Sequence, residues 1–396
     1  MRVAVASWTI RYAGGVEAYL EHVIPAMRVA GLDVGFFHEV DGPSDRARID
    51  IGDVAVFNAA AAGVEAAVAA LQSWKPDVMY MHGLRNARTF EHLTTLAPSV
   101  SFVHAYFGTC VSGSKTHTRP SAVPCDKRFG PMCLVHYFPR RCGGRSPVTM
   151  LQLYRKEARQ LATLQKQRAV ITHSVHMQGE LAAHGVNADL IPYAVSTSII
   201  EESNTVKCSD VLFAGRMDEL KGGLLLLDAL PLIRRQLNGP LRVVFAGDGP
   251  ARRRWEERAA AVANTDADLH VTFSGWCSDA RLADLMRETR LLAVPSVWPE
   301  PFGSVGMVAA SHGVPAAAFA VGGIPQWLHD NVNGHLASGS PPTAEGLAGA
   351  IVRCLRVPQH YSNLCAGARR MAASFTMDKH LPELVRIFER VVDGPR

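Results

Sequence analysis

Residues 295–313 read PSVWPEPFGSVGMVAASHG and follow directly on the apolar run 291–294, so a buried strand ends where this segment begins. Glu300 stands between two prolines, and Gly303 and Ser304 then open a helical pattern. A carboxylate and backbone N–H groups gathered on a strand-to-helix loop suit one small, polar, partly anionic ligand. Outward from this loop the same alternation of short apolar runs and amphipathic segments continues in both directions. Strands are expected at 3–8, 34–38, 54–57, 78–81, 101–104, 169–173 and 190–192, and again at 211–214, 243–246, 271–273, 291–294 and 316–319. Helices are expected between them, for example at 16–29 closed by Gly31 and at 150–167, with a last one at 379–392. A polar stretch, 201–207, separates the two series. The fold class this predicts is α/β, with two Rossmann-like doubly wound parallel-sheet domains facing a central cleft. In such sheets ligands bind beyond the carboxyl ends of the strands.

The chain has 396 residues, too many for one compact core, which agrees with two domains. At 48% hydrophobic and 19% charged it reads as globular and excludes a disordered or low-complexity protein. The opening MRVAVASWTI passes at once into an apolar run without a small-residue cleavage site, and is expected to be the first strand rather than a signal peptide. The apolar run 54–71 is broken by Asn58, Gly63 and Glu65, which makes it a poor membrane span. A cytoplasmic protein is expected, with peripheral contact at the membrane inner face left open.

Charge is unevenly spread. Lys115, Arg119, Lys127, Arg128, Arg140, Arg141 and Arg145 face a single acid, Asp126, so residues 115–145 carry +6 of a net +5 and the remainder carries −1. Such a loop is either a solvated basic surface or an attractor for an anionic acceptor or acidic lipid headgroups. Nucleic acid is not expected as a partner, because no basic stripe with stacking aromatics recurs elsewhere.

Two further glycine-bearing turns follow strands. Ala13-Gly14-Gly15-Val16-Glu17 comes after the first, where glycine permits close backbone approach and the following helix presents its positive end. Residues 215–222, Gly-Arg-Met-Asp-Glu-Leu-Lys-Gly, begin the second series and put Arg216 and Lys221 at a helix entrance, as a diphosphate requires. Tight packing alone also produces such turns; their combination with the Glu300 loop is more specific.

Taken in order, Gly14-Gly15-Val16-Glu17, Gly215-Arg216 with Lys221-Gly222, Pro295-Ser296 through Glu300-Pro301-Phe302-Gly303, and Val321-Gly322-Gly323-Ile324-Pro325 with Asn333-Gly334 resemble the retaining family 4 glycosyltransferases of the GT-B fold. The resemblance implies an N-terminal acceptor-side domain at 1–195 carrying a cysteine-rich basic loop at 107–147. A nucleotide-sugar-binding domain at 196–375 would follow, then a helix at 376–396 packing back towards the first. It implies a hexosyltransferase of polysaccharide or glycoconjugate biosynthesis that takes a nucleotide diphosphate sugar. The acceptor would be a hydroxyl of a glycan, lipid-linked or small-molecule compound. Arg216 and Lys221 would hold the diphosphate and Glu300 the sugar hydroxyls, with Gly14, Gly15, Pro301, Phe302, Gly303, Ser304 and position 308 around the donor. His104 matches the histidine that reaches the transferred sugar, and His82 is a weaker candidate; for both, an imidazole satisfied by its surroundings is the bland alternative.

No cofactor is required and no catalytic metal is implied, since cationic side chains and helix ends neutralise the leaving diphosphate and no Asp-x-Asp motif stands in the expected place. Same-face attack is the mechanism expected, as no carboxylate nucleophile besides Glu300 is available. Two departures alter the donor site: Val308 stands where the family has a second Glu, and Gln326 where it often has another. Ser311 and His312, one turn on, are candidates to replace the lost ribose contact. The alternatives are a sugar-nucleotide epimerase of the same fold and a catalytically weak sugar-nucleotide-binding subunit. Four of the eight cysteines, Cys110, Cys125, Cys133 and Cys142, fall in the basic loop, where structural zinc, disulfides or free thiols all remain open without a Cys-x-x-Cys pair.

Overall fold

The computed structural model describes residues 1–120, 122–194 and 207–394. The expected polar separator 201–207 lies, up to residue 206, outside the described residues. The chain divides into two compact units: Met1–Arg119, Cys125–Ser196 and Thr376–Arg396 form the first, and Pro120–Pro124 with Thr197–Phe375 the second.

The first unit holds β1 (Arg2–Thr9), α1 (Gly15–Val29), β2 (Asp33–Val40), β3 (Ala55–Asn58), α2 (Ala59–Ala62), α3 (Val64–Trp74), β4 (Val78–His82), α4 (Ala87–Leu93) and β5 (Ser99–Phe102). A long excursion follows, with β6 (Thr116–His117), then β7 (Val123–Pro124), which counts with the second unit, and α5 (Met132–Tyr137), before α6 (Pro147–Leu164), β8 (Ala169–Thr172), α7 (Val175–Ala182) and β9 (Ala188–Leu190). Its main sheet is parallel and runs β3-β2-β1-β4-β5-β8-β9. Residues 3–6 of β1 and all of β4 are buried, because helices cover both faces; such strands read as continuous apolar runs instead of alternating. The run 54–71, excluded above as a span, becomes a short strand and two helices interrupted at Gly63.

The last helix, α14 (Met377–Asp393), belongs to this unit. His380, Leu384, Ile387, Phe388 and Val391 are buried along one stripe at helical spacing. Phe388 meets Tyr80 edge-on with ring centroids 5.0 Å apart, and Arg168 donates to the Val391 carbonyl at 3.0 Å. Each large apolar side chain so buried is worth about 2 kcal/mol.

The second unit contains β10 (Ser209–Ala214), α8 (Gly223–Leu237), β11 (Leu241–Ala246), α9 (Arg252–Ala263), β12 (Leu269–Gly275), α10 (Asp279–Glu288), β13 (Thr289–Val294), α11 (Val305–Ser311), β14 (Ala316–Phe319), β15 (Gly334–Ala337), α12 (Ala344–Leu355) and α13 (Pro358–Ala372). Its parallel sheet runs β12-β11-β10-β13-β14-β15. Both sheets therefore wind outward in one direction from their first strand and then reverse. The reversal falls between β1 and β4 in the first unit and between β10 and β13 in the second. At such a switch point the loops leaving the two central strands diverge to opposite faces and open a crevice for ligand. Among the described residues no helix is long and apolar enough to cross a membrane.

Candidate functional site

At the second unit's switch point the two diverging loops are those that carry Arg216 with Lys221, after β10, and Glu300, after β13. Lys221 Nζ donates to Glu300 Oε1 at 2.5 Å, and the Ser296 hydroxyl donates to the same oxygen at 2.5 Å. No described residue bonds to Oε2. Glu300 is 4% exposed, so its charge depends on these partners, while the Lys221 side chain keeps 26% of its surface and also lies 5.3 Å from the Trp298 ring centroid. Arg216 reaches further out: its Nε donates to Asp218 at 3.0 Å, and two thirds of its side chain is exposed. Asp218 also accepts from the backbone N–H groups of Leu220 and Lys221 at 3.0 and 3.2 Å, capping the short 3-10 turn Glu219–Lys221. One carboxylate thus sets the Arg216 fork and the Lys221 backbone together.

Close backbone contact holds the loops in place. Gly222, at φ +69, lies so near the Pro295 carbonyl that a Cβ there would stand 1.8 Å from its oxygen, and Val297 N–H donates to Leu220 O at 2.9 Å. Gly322, at φ +57, does the same for the third loop: its Cβ would meet Glu300 O at 2.2 Å, and Gly323 N–H donates to that carbonyl at 2.7 Å. Only glycine combines a left-handed backbone with this approach. Gly222→Ala is therefore expected to lower the thermal midpoint by more than ~2 °C, since the left-handed conformation alone costs an L-residue about 1–2 kcal/mol. Gly239→Ala, where a Cβ meets nothing within 4 Å, is expected to leave it unchanged in the same scan.

The remaining residues expected around the donor take different parts. Phe302 is buried with its ring centroid 5.6 Å from that of Phe375, and its carbonyl accepts from Trp327 Nε1 at 2.6 Å, so the side chain builds the loop instead of lining a ligand surface. Pro301 is buried beside it, while Gly303 and Ser304 are half-buried and lead into α11. Val308 is half-buried on α11. The expectation that Ser311 and His312 replace a ribose contact is not met: the Ser311 hydroxyl, fully buried, donates to Val308 O at 2.7 Å, and His312 Nδ1 turns to the same carbonyl at 2.9 Å. Both side chains fold back on their own helix.

In the first unit Gly14 and Gly15 follow β1 at the switch point, and Gly15 begins α1. Tyr193 donates from its hydroxyl to Gly15 O at 2.5 Å, and burial raises the pKa of Glu17 in the first helical turn. His82 closes β4 on the other side of the switch point. Its Nδ1 lies 2.9 Å from His104 Nε2, and His104 is 8% exposed. These imidazoles belong to a buried aromatic group. His104 packs against Phe102 and His173, Tyr19 bonds both Tyr80 and His380 Nε2 at 2.7 Å, and His380 Nδ1 bonds Pro192 O at 2.9 Å. Burial lowers the pKa of His82 and His173 to about 3 and of His380 to about 4, and that of His104 well below the usual imidazole range with further lowering from its neighbouring histidines. His104 is a neutral imidazole at physiological pH.

Sequence reasoning gave no role to Asp218, Ser296, Tyr193 or His380. Asp218 carried a usable signal, an N-cap residue before a Lys-bearing turn; Ser296 stands four positions before its partner Glu300 on the same loop, while the partners of His380, Tyr19 and Pro192, lie far off in the sequence. The basic loop also needs correction. Lys115 is 4% exposed and its Nζ bonds Glu180 at 2.5 Å and Lys127 O at 2.7 Å, so it fastens the loop instead of charging its surface. Arg119, Lys127, Arg128, Arg140, Arg141 and Arg145 are exposed.

Two parallel-sheet α/β units with ligand loops at their switch points define the GT-B fold, and solved structures agree. HepE of Anabaena in complex with UDP and glucose superposes with a TM-score of 0.70 at 17% identity over 98% of this chain and 99% of that one. Sucrose-phosphate synthase from Thermosynechococcus elongatus superposes with a TM-score of 0.72 at 20% identity over 100% of both. At this identity the likeness is one of fold. Residues 208–356, the segment bearing Arg216, Lys221 and Glu300, match the family model described as Glycosyl transferases group 1. Among curated relatives, the D-inositol 3-phosphate glycosyltransferase of Jonesia denitrificans is 33% identical over 183 residues, covering 46% of this chain and 42% of that one. That of Streptomyces griseus is 34% identical over 174 residues, covering 42% and 36%. The matches thus span less than half the length of these relatives.

Proposed function

We propose that the protein is a retaining, metal-independent hexosyltransferase that draws on a nucleotide diphosphate sugar. The observation that carries this reading is the Lys221–Glu300 pair at the second unit's switch point, with Arg216 exposed on the same loop. Arg216 and Lys221 bind the diphosphate together with the N-terminus of α8, whose cap, Gly222, leaves its N–H groups without a side-chain partner. Glu300 Oε2 accepts from a sugar hydroxyl while Oε1 stays with Ser296. As the sugar–phosphate bond breaks, negative charge grows on the diphosphate and is neutralised by cations already in position. The same diphosphate, placed on the face of attack, takes the acceptor's proton. His104 is the proposed support for positive charge on the sugar, a role that a neutral imidazole can fill and an imidazolium cannot.

The exposed cations of the basic loop, beside the exposed Met132, Val135 and Phe138, support an anionic acceptor, lipid-linked or phosphorylated, and peripheral contact with a membrane surface. The inositol phosphate named for the curated relatives has the same chemistry.

A donor panel tests the reading. UDP-, ADP- and GDP-sugars are incubated with the protein and followed by thermal shift and product analysis. Stabilisation by one donor with slow release of its nucleoside diphosphate is the expected result. Formation of an isomeric sugar nucleotide would instead indicate an epimerase, and binding without turnover a binding subunit.

A further inference from the structure

Cys110, Cys125, Cys133 and Cys142 start up to 32 positions apart in the sequence, yet all four line one small cavity of the first unit, together with His117 and His136. All four are free thiols. The cavity measures about 20 Å³. A single water needs roughly 10–15 Å³ on the same scale, so there is room for one atom-sized occupant and none for a cluster or an organic ligand.

The sulfurs take mixed roles: Cys133 Sγ donates to Arg128 O at 3.8 Å and Cys142 Sγ to His136 O at 3.9 Å. The Lys115 N–H donates to Cys110 Sγ at 3.3 Å. His117 Nδ1 lies 3.6 Å from Cys142 Sγ. Backbone and imidazole groups around a sulfur in this way orient thiolate ligands. Charge agrees as well: four thiolates and one dication leave two negative charges, and, with Lys115 already paired to Glu180, the six exposed cations of the segment still outnumber its single acid, Asp126, by five.

We propose that Cys110, Cys125, Cys133 and Cys142 bind one zinc ion in a tetrahedral, all-thiolate structural site that fastens the 107–147 segment. Four thiolates around one small centre select a soft-tolerant tetrahedral ion, and a mononuclear site is what the cavity admits. In the arrangement shown, no group of three or more His, Cys, Asp and Glu side chains among the described residues could hold a metal ion. The site therefore requires the four thiols to draw together as the ion binds, as where metal binding and local folding are one event. A segment of about forty residues with little regular structure needs such a fastening.

The full chain, purified without a metal-binding tag from zinc-supplemented cells, is measured for bound metals and for reactive thiols under denaturation. The expected result is one zinc per chain, released when a mercurial blocks the thiols, and a cobalt-substituted form with the intense visible absorption of a tetrahedral thiolate site. Cys125→Ser and Cys142→Ser are expected to lose the zinc, while Cys208→Ser and His117→Ala retain it. Because a Cys→Ser variant can fail to fold, the wild-type stoichiometry and the cobalt spectrum stand as independent readouts. A metal-free chain, whether its cysteines are free or joined as disulfides, would overturn the proposal, and so would zinc that persists in both Cys125→Ser and Cys142→Ser.

Discussion

Replacing Lys221 by methionine is expected to reduce turnover by about two to three orders of magnitude, the usual consequence of removing one preorganised charge from a leaving-group site. Methionine keeps the length and much of the volume of the side chain, so the change isolates the ammonium. It also strands Glu300, which is nearly buried and holds Lys221 at 2.5 Å, with Ser296 as its remaining partner. Breaking a fully buried pair from one side costs about 3–5 kcal/mol. Lys221 is a quarter exposed and its partner is less completely stranded, so the stability loss is expected at or below the lower end of that range. The double variant Lys221→Met with Glu300→Gln separates the two effects: stability returns, because no uncompensated charge remains, and activity does not. Denaturant midpoints and steady-state rates on the four proteins of this cycle measure both. Recovery of activity in the double variant would place the chemistry elsewhere.

The second large effect concerns acid. His82, His104, His173 and His380 are held neutral by burial, with folded-state values of about 3 for His82 and His173, about 4 for His380, and well below the usual range for His104. In the unfolded chain an imidazole takes up its proton near pH 6.5. Between that value and about 3 the unfolded state therefore binds protons that the native state refuses, and stability falls as pH falls, by about 1.4 kcal/mol per pH unit for each imidazole. Below the folded-state values the loss flattens. Glu17, Glu39 and Glu157 in the same unit have raised pKa values from burial and pull in the opposite direction as they take protons, so the steepest loss is expected just below 6.5. Urea midpoints at pH 7, 6 and 5 should drop steeply for the wild type and less so for His82→Asn. A midpoint unchanged over this range would mean that the imidazoles are not buried as described.

Much of the fold was legible because the strands are buried on both faces. Residues such as 3–6 and 78–82 appear as unbroken apolar runs, and glycines punctuate their exits. Strand order was not legible, since it depends on which runs pair, and with it the switch points that single out the Lys221 and Glu300 loops stayed hidden. At the site, charges could be read and their partners could not. Arg216, Lys221 and Glu300 stood out as types in a pattern, whereas the bond from Lys221 to Glu300 depends on how two loops close, and those from Ser296 to Glu300 and from Arg216 to Asp218 on the turn each loop makes. Ser311 and Lys115 show the converse error: each looked available as a polar residue, and each is buried on a partner that the sequence does not announce. Phe302 looked like part of a ligand loop and is a packing residue, because its neighbour Phe375 lies over seventy positions away. The four cysteines could be counted but not brought together, as no short spacing joins them.

The central claim is that Arg216 and Lys221 bind a diphosphate at the start of α8 beside Glu300. A crystal structure of the full chain with the nucleoside diphosphate released in the donor panel tests it most directly. Both phosphates are expected within hydrogen-bond distance of the Arg216 guanidinium and the Lys221 ammonium, with the base further along the same switch point. Phosphates bound away from both cations would contradict it.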